Sequence, residues 1–436
     1  MMVFLIQLLL WGSLKVKGNF FVLTDLHYDI AYEPNYSSKS YCHSIALSEG
    51  PAILEKSIDK AISGRYYCDS PIDLINKVAW KMKEIDSIPD FILILGDHLA
   101  HHTMELFAES GNLNLEETKE LVKKTYVDID SVFKTVFPES QVIYLIGNND
   151  GYVDYESFID GQGEEYLEFL YNNWKELTGE IDTSFYEGGY YSVFTDNRLK
   201  IICLNSNYFS YKFEGSKQES NNQMAWFKQE LNDSEENVII AMHIPPGISI
   251  YNKAQQLWTD EYLEKFTELV QVHKEKILFI FAGHLHFSSF ELLPDVDIPI
   301  IIHKSVSPIY GNNPGFRYYT YRDNFSDYID YSLELKNFKW DSYRFSQLFE
   351  IDSLNMKSLY KSLVNDYGKL KNYISKAVGF DLADIEKSWK ILLDMDYTSD
   401  KELGIATFLC SLLEISYDKF QICMEKMNSN MINNLD

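Results

Sequence analysis

The stretch Ile277-Leu278-Phe279-Ile280-Phe281-Ala282-Gly283-His284-Leu285-His286 decides the fold: six apolar residues of strand length run through a glycine into two histidines at alternate positions. The same arrangement recurs four times earlier in the chain. Phe20–Thr24 leads into Asp25-Leu26-His27, Phe91–Leu95 into Gly96-Asp97, Val142–Ile146 into Gly147-Asn148-Asn149-Asp150, and Val238–Met242 into His243. Further strand-like runs stand at Lys200–Leu204 and Ile298–His303. Helical patterns lie between them. Leu74, Val78 and Met82 recur at helical spacing after Ser70-Pro71-Ile72-Asp73, which predicts a helix with Ser70 as N-cap and Pro71 at its first position. Alternation of buried strands and helices predicts a layered α/β architecture. In open α/β sheets ligands bind where the strands end, so residues distant in sequence are expected to meet in one crevice.

A single Asp-x-His or His-x-His is weak evidence, since alternate residues of a strand share a face by geometry alone. Five strand ends in order, each carrying carboxylate, amide or imidazole, are a much stronger signal. Such donors suit zinc or another first-row divalent ion, and seven of them are too many for one tetrahedral site. Two ions about 3.5–4 Å apart, sharing one carboxylate, can activate a hydroxide between them and clamp a phosphoryl group.

The composition narrows the substrates. With 65 acidic and 39 basic residues among 436, the net charge is −26, which opposes binding to a polyanionic nucleic-acid backbone. No polynucleotide partner is expected. Val3–Leu10 and the following Trp11 to Leu14 form an apolar segment of signal-peptide length, so residues 1–18 are expected to be a leader cleaved within 14–19. No membrane span is expected, and a secreted or acidic endolysosomal location follows. Sequons at Asn35, Asn232 and Asn324 agree with a glycoprotein. Five cysteines permit two disulfides: by position, Cys42 with Cys68 and Cys410 with Cys423, leaving Cys203 as a buried thiol within its strand. From about Phe345 onward the pattern is helical only, as with Ile385, Trp389 and Leu392 on one face. The expected organisation is therefore a leader over 1–18, a catalytic domain over 19–344 and a C-terminal helical subdomain over 345–436.

With these motifs the chain resembles the calcineurin-like metallophosphoesterases, and more narrowly the acid sphingomyelinase-like phosphodiesterases. The narrower resemblance rests on Tyr66-Tyr67-Cys68-Asp69-Ser70-Pro71, Gly189-Tyr190-Tyr191, Leu204-Asn205-Ser206, His243-Ile244-Pro245-Pro246-Gly247 and Asn313-Pro314-Gly315-Phe316-Arg317, and on the spacing of Cys410 and Cys423. It implies a double-sheet β-sandwich flanked by helices and a site for two zinc ions. The first ion would take Asp25, His27, Asp97 and His286; the second would take Asp97, Asn148, His243 and His284, with Asp97 bridging. Gly96-Asp97-His98-Leu99-Ala100-His101 resembles the family's Gly-Asp-x-x-x-His, which makes His101 the candidate proton donor. His98 and His102 are expected to be ordinary loop histidines. Where the family has Gly-Asn-His this chain has Gly147-Asn148-Asn149, and the Asn149 amide can donate a hydrogen bond to a phosphoryl oxygen but cannot deliver a proton. Purple acid phosphatase chemistry is excluded, because its iron-binding tyrosine would fall at Ala100.

The resemblance implies a monomeric, metal-dependent phosphoric diester hydrolase in which a metal-bridging hydroxide attacks the phosphorus. The first catalytic strand follows the leader directly, leaving no saposin-like region, which favours nucleotide-like or phosphocholine-type small substrates, phosphodiesters or phosphoanhydrides. Sphingomyelin is the alternative substrate. A secreted metal-binding protein with weak catalysis, owing to Asn149, is the alternative from another class.

Overall fold

The computed structural model describes residues 17–36, 42, 62–109, 113–158, 162–250, 254–322, 325–380, 386–388, 390–391 and 401–433. Fourteen strands are formed among them. They are β1 Lys17–Leu23, β2 Phe91–Ile94, β3 Gln141–Tyr144, β4 Tyr191–Phe194, β5 Lys200–Leu204, β6 Val238–Met242 and β7 Ile248–Ser249. After these come β8 Gln255–Gln256, β9 Ile277–Ala282, β10 Ser289–Glu291, β11 Ile300–Ile302, β12 Gly315–Arg322, β13 Phe325–Glu334 and β14 Lys339–Arg344. Two six-stranded sheets, ordered β14-β13-β12-β1-β2-β3 and β10-β11-β9-β6-β5-β4, carry all but the short β7–β8 pair. The architecture is the expected double sheet flanked by helices.

Side-chain alternation explains how the layers meet. Phe20 of β1 points between the sheets, stacking on Phe91 at 4.4 Å and Tyr319 at 5.1 Å and reaching Phe279 and Phe281 at 6.0 and 6.1 Å. Its neighbour Phe21 points the opposite way, to Phe137 after the helix Leu115–Val136. That helix begins with a capping box, in which Asn114 and Glu117 each accept the other's backbone N–H.

Within the sheets β1, β2 and β3 are parallel, with Leu23 level with Ile94 and Ile94 with Tyr144. In the second sheet β5, β6, β9 and β11 are parallel, with Leu204 level with Met242. Parallel strands in register end together, so the segments after β1, β2, β3, β6 and β9 emerge side by side.

Ser70 does not cap the helix Ile72–Ile85; Pro71 takes the N-cap place, without a side-chain cap. The Ser70 backbone is held to another segment, its N–H donating to His27 O at 2.9 Å and its carbonyl accepting from Asp29 N at 2.8 Å. The segment before the helix is thereby stitched to the loop after β1. The antiparallel strands β12, β13 and β14, rich in tyrosine and charged residues, are an element the apolar-run reading did not reveal.

The helices Phe345–Phe349, Met356–Asn365, Tyr367–Ala377, Lys401–Leu413 and Tyr417–Asn433 follow β14. They share the main core: Leu359, Leu363, Phe408 and Leu412 belong to the same buried cluster as Phe20 and Ile280. The pattern at Ile385, Trp389 and Leu392 lies outside the described residues, as do residues 1–16 of the expected leader and Asn324. Strand β1 starts at Lys17. Cys42 pairs with Cys68 and Cys410 with Cys423, and Cys203 is a buried free thiol.

Candidate metal centre

Five of the seven candidate ligands sit in left-handed backbone: Asp25 (φ 51°), His27 (39°), Asp97 (54°), His284 (69°) and His286 (58°). Non-glycine residues adopt this conformation at a cost, and its concentration at one place marks a functional site. The glycines beside them are required by close approach. A Cβ on Gly147 would stand 2.1 Å from Asp97 Oδ1, and one on Gly283 would stand 2.0 Å from Thr24 Oγ1.

The donors converge. Asp25 Oδ1 lies 3.2 Å from His286 Nε2, 3.7 Å from His27 Nε2 and 3.9 Å from His243 Nε2. Asp97 Oδ2 lies between His243 Nε2 at 3.1 Å and His27 Nε2 at 3.4 Å, the position a shared carboxylate must take. Asn148 Oδ1 is 3.1 Å from His243 Nε2. The structure thus groups Asp25, His27 and Asp97 in one cluster, Asp97, His243 and His284 in a second, and His27, His101 and His286 in a third.

The outer contacts aim these groups. His27 Nδ1 is 2.7 Å from Leu99 O and His243 Nδ1 is 2.8 Å from Leu95 O. Each carbonyl takes an N–H from Nδ1, so the Nε2 lone pair is turned inward. His27 Nε2 then faces His286 Nε2 at 3.2 Å. Lone pairs and carboxylate oxygens meeting at such distances, in a buried site, fit cations and little else.

The electrostatics of the protein alone say the same. Burial by itself would strip His27 of its proton, but the Asp25 hydrogen bond and the Asp97 and Asp69 carboxylates outweigh it and push its pKa up to about 10. For His243, Asp97 and Asp25 outweigh burial and push it up to about 9. Burial would raise Asp25 and Asp97, yet the neighbouring histidines hold both well below the usual carboxylate range. His284 goes the other way, to about 3, through burial and the proximity of His243. The carboxylates are charged, and they draw positive charge onto whatever stands among them.

His101 stacks on His27 and its Nδ1 faces Asp69 Oδ2 at 3.1 Å. Asp69 also accepts the His101 backbone N–H at 2.9 Å and the Ser307 hydroxyl at 2.8 Å. The quoted motif around Cys68 contained Asp69, but nothing in it indicated a partnership with His101. His98 lies in the loop after β2, fully buried, and its Nδ1 contacts Asp150 Oδ2 at 3.0 Å. Asp150 also accepts the backbone N–H groups of Asp97 (2.8 Å), His98 (2.7 Å) and Gly147 (2.7 Å), so one carboxylate joins the loops after β2 and β3. His102 is exposed and pairs with Glu105 at 2.9 Å. The Asn149 side chain contacts Asn148 and Asp154.

Beside the centre a cleft is lined by Tyr155, Tyr211, Lys212, Gln256, His284 and Tyr310. Tyr310 sets its edge against His286 at 4.7 Å. Lys212 Nζ lies over the Tyr155 ring, 5.2 Å from its centroid.

Comparison with known proteins places this geometry. The family model Calcineurin-like phosphoesterase matches residues 18–288. The chain is 23% identical to the acid sphingomyelinase-like phosphodiesterase 3b of Mus musculus over 98% of its own length and 94% of the relative's. It is 27% identical to the sphingomyelinase phosphodiesterase D of Dictyostelium discoideum over 88% of its own length and 93% of the relative's. It is also 27% identical to the cyclic GMP-AMP phosphodiesterase SMPDL3A of Homo sapiens, over 79% of its own length and 78% of the relative's.

Proposed function

The chain belongs to the calcineurin-like phosphoesterase family, and on that premise we propose that it is a secreted, zinc-dependent phosphodiesterase acting on nucleotide-like small phosphodiesters or phosphoanhydrides. The observation that carries this reading is Asp97 Oδ2 set between the inward-facing Nε2 atoms of His27 and His243. Asp25, His27, Asp97 and His286 would hold one ion, and Asp97, Asn148, His243 and His284 the other. When bound, such ions supply Lewis-acid activation of water and of the phosphoryl group. His101, oriented through Nδ1 by Asp69, presents Nε2 as the group that protonates the departing oxygen.

Lys212 favours nucleotide-like substrates over phosphocholine esters. An aromatic face that already carries an ammonium offers less to a quaternary ammonium headgroup, while the same lysine can pair with a phosphate. The two flanking tyrosines, Tyr155 and Tyr310, offer flat surfaces for a base. Exposed sequon residues Asn35 and Asn232 suit a glycosylated, secreted protein.

The test is turnover by secreted, zinc-loaded protein at pH 5 to 7 on ATP, CDP-choline, a chromogenic phosphodiester and sphingomyelin in detergent. Nucleotide turnover well above sphingomyelin turnover is the expected result. Preference for sphingomyelin refutes the substrate assignment, and two bound ions without turnover of any of the four refute the catalytic reading. In that last case Asn149→His should restore turnover.

A further inference from the structure

We propose that Asn149 and Asp154 are positioning residues for the metal centre: together they fix which end of the Asn148 amide faces it. The inference rests on the ligand assignment above and concerns the orientation of one ligand. Asn148 Nδ2 donates to Asn149 Oδ1 at 2.8 Å, and Asn149 Nδ2 donates to Asp154 Oδ1 at 3.3 Å. The Asn149 backbone N–H donates to Asp97 Oδ1 at 2.8 Å, which holds the residue against the shared carboxylate.

A primary amide has a donor end and an acceptor end of nearly equal shape, so sterics do not choose between them. A carboxylate can only accept. Asp154 therefore takes the donor end of Asn149, Asn149 Oδ1 is left facing Asn148, and it takes the donor end of Asn148 in turn. The Asn148 oxygen, the one side-chain atom of an asparagine that ligates a cation, is thereby directed at the centre. Asn148 Oδ1 lies 3.1 Å from His243 Nε2, on the side where the candidate ligands converge. Asn149 is buried, which keeps water from scrambling the sequence of bonds.

The test uses the full-length chain, depleted of metal and then titrated with Co2+ (ligand-field absorption) and with Zn2+ against a chromophoric chelator. Asn149→Leu is expected to weaken one of the two bound ions about tenfold or more, changing its Co2+ spectrum and sparing the other ion. Asp154→Ala, at the exposed end, shifts the same ion in the same direction and carries the test if the leucine variant does not fold. The decisive comparison is the Asn148→Asp background, where both side-chain oxygens ligate in either orientation. There Asn149→Leu should cost less than about threefold, because the coupling has been removed. Wild-type affinity in the single variants, or the same loss in both backgrounds, overturns the proposal alone. Failure of the unmodified protein to bind a second ion overturns the ligand assignment and this inference with it.

Discussion

The His101 ring lies on the His27 ring, centroids 3.9 Å apart and planes 22° from parallel. The proposed proton donor is thus held by the face of one candidate ligand and by the Asp69 carboxylate at its Nδ1. Asp69→Asn keeps the shape but removes the charge that fixes the ring, and should lower kcat about 10–100-fold with KM little changed. Steady-state kinetics on a chromogenic phosphodiester check this; a change confined to KM would make Asp69 a binding group instead.

Asp97 touches both halves of the centre, so Asp97→Asn should remove metal and activity together, with turnover falling at least about 100-fold. Elemental analysis after gel filtration, paired with the same assay, provides the check. Two ions and full turnover in the variant would end the bridging assignment.

Metal uptake should be strongly pH-dependent. Without metal, His27 and His243 keep protons up to about 10 and about 9, yet both must be neutral to ligate. Binding therefore releases up to about two protons near pH 7, and affinity rises with pH. Calorimetry in buffers of differing ionisation enthalpy measures the release, and no release would contradict it.

The same shifts set the stability of the metal-free protein. A histidine pKa raised by folding stabilises fully below about pH 6.5, and that contribution is lost as pH rises through 9 to 10. The depressed carboxylates Asp25, Asp69 and Asp97, which the surrounding histidines hold low against the effect of burial, act oppositely: their contribution is complete above about pH 4 and is lost in acid. Thermal melts of the metal-free protein should thus weaken above about pH 7, and added metal should remove that loss.

Asp330 joins the sheet to the C-terminal helices. It pairs with Lys304 at 2.5 Å and Arg317 at 3.0 Å, all three buried, while Lys304 also donates to Lys376 O at 3.1 Å beyond the sheet. Asp330→Ala leaves two buried cations without their partner and should cost about 3–5 kcal/mol in denaturant unfolding. A loss below about 1 kcal/mol would show the pairs to be dispensable.

What the sequence made legible were the places where an apolar run stops at a ligand-type residue. β6 and β9 are buried along nearly their whole length, so periodicity and composition agree there, and His243, His284 and His286 follow at fixed distances. β12 to β14 escaped because their tyrosines and charges, as in Gly315–Arg322, leave no continuous apolar run to read. Asp69, Asp150 and Lys212 escaped for another reason. Each works through a partner tens of residues away, or through one ring face, and neither relation leaves a local pattern. The pairing of His98 with Asp150 escaped on the same ground, since the two lie 52 residues apart.

Asp150 carries a consequence of its own. Because its carboxylate is gripped by backbone from both loops, the Asp97 and Asn148 segments behave as a single piece of chain, although neither is bonded to the other in sequence. The spacing between two ions would then be gauged by a residue that touches neither. The cage takes its shape as the protein folds, and metal enters a mould already set.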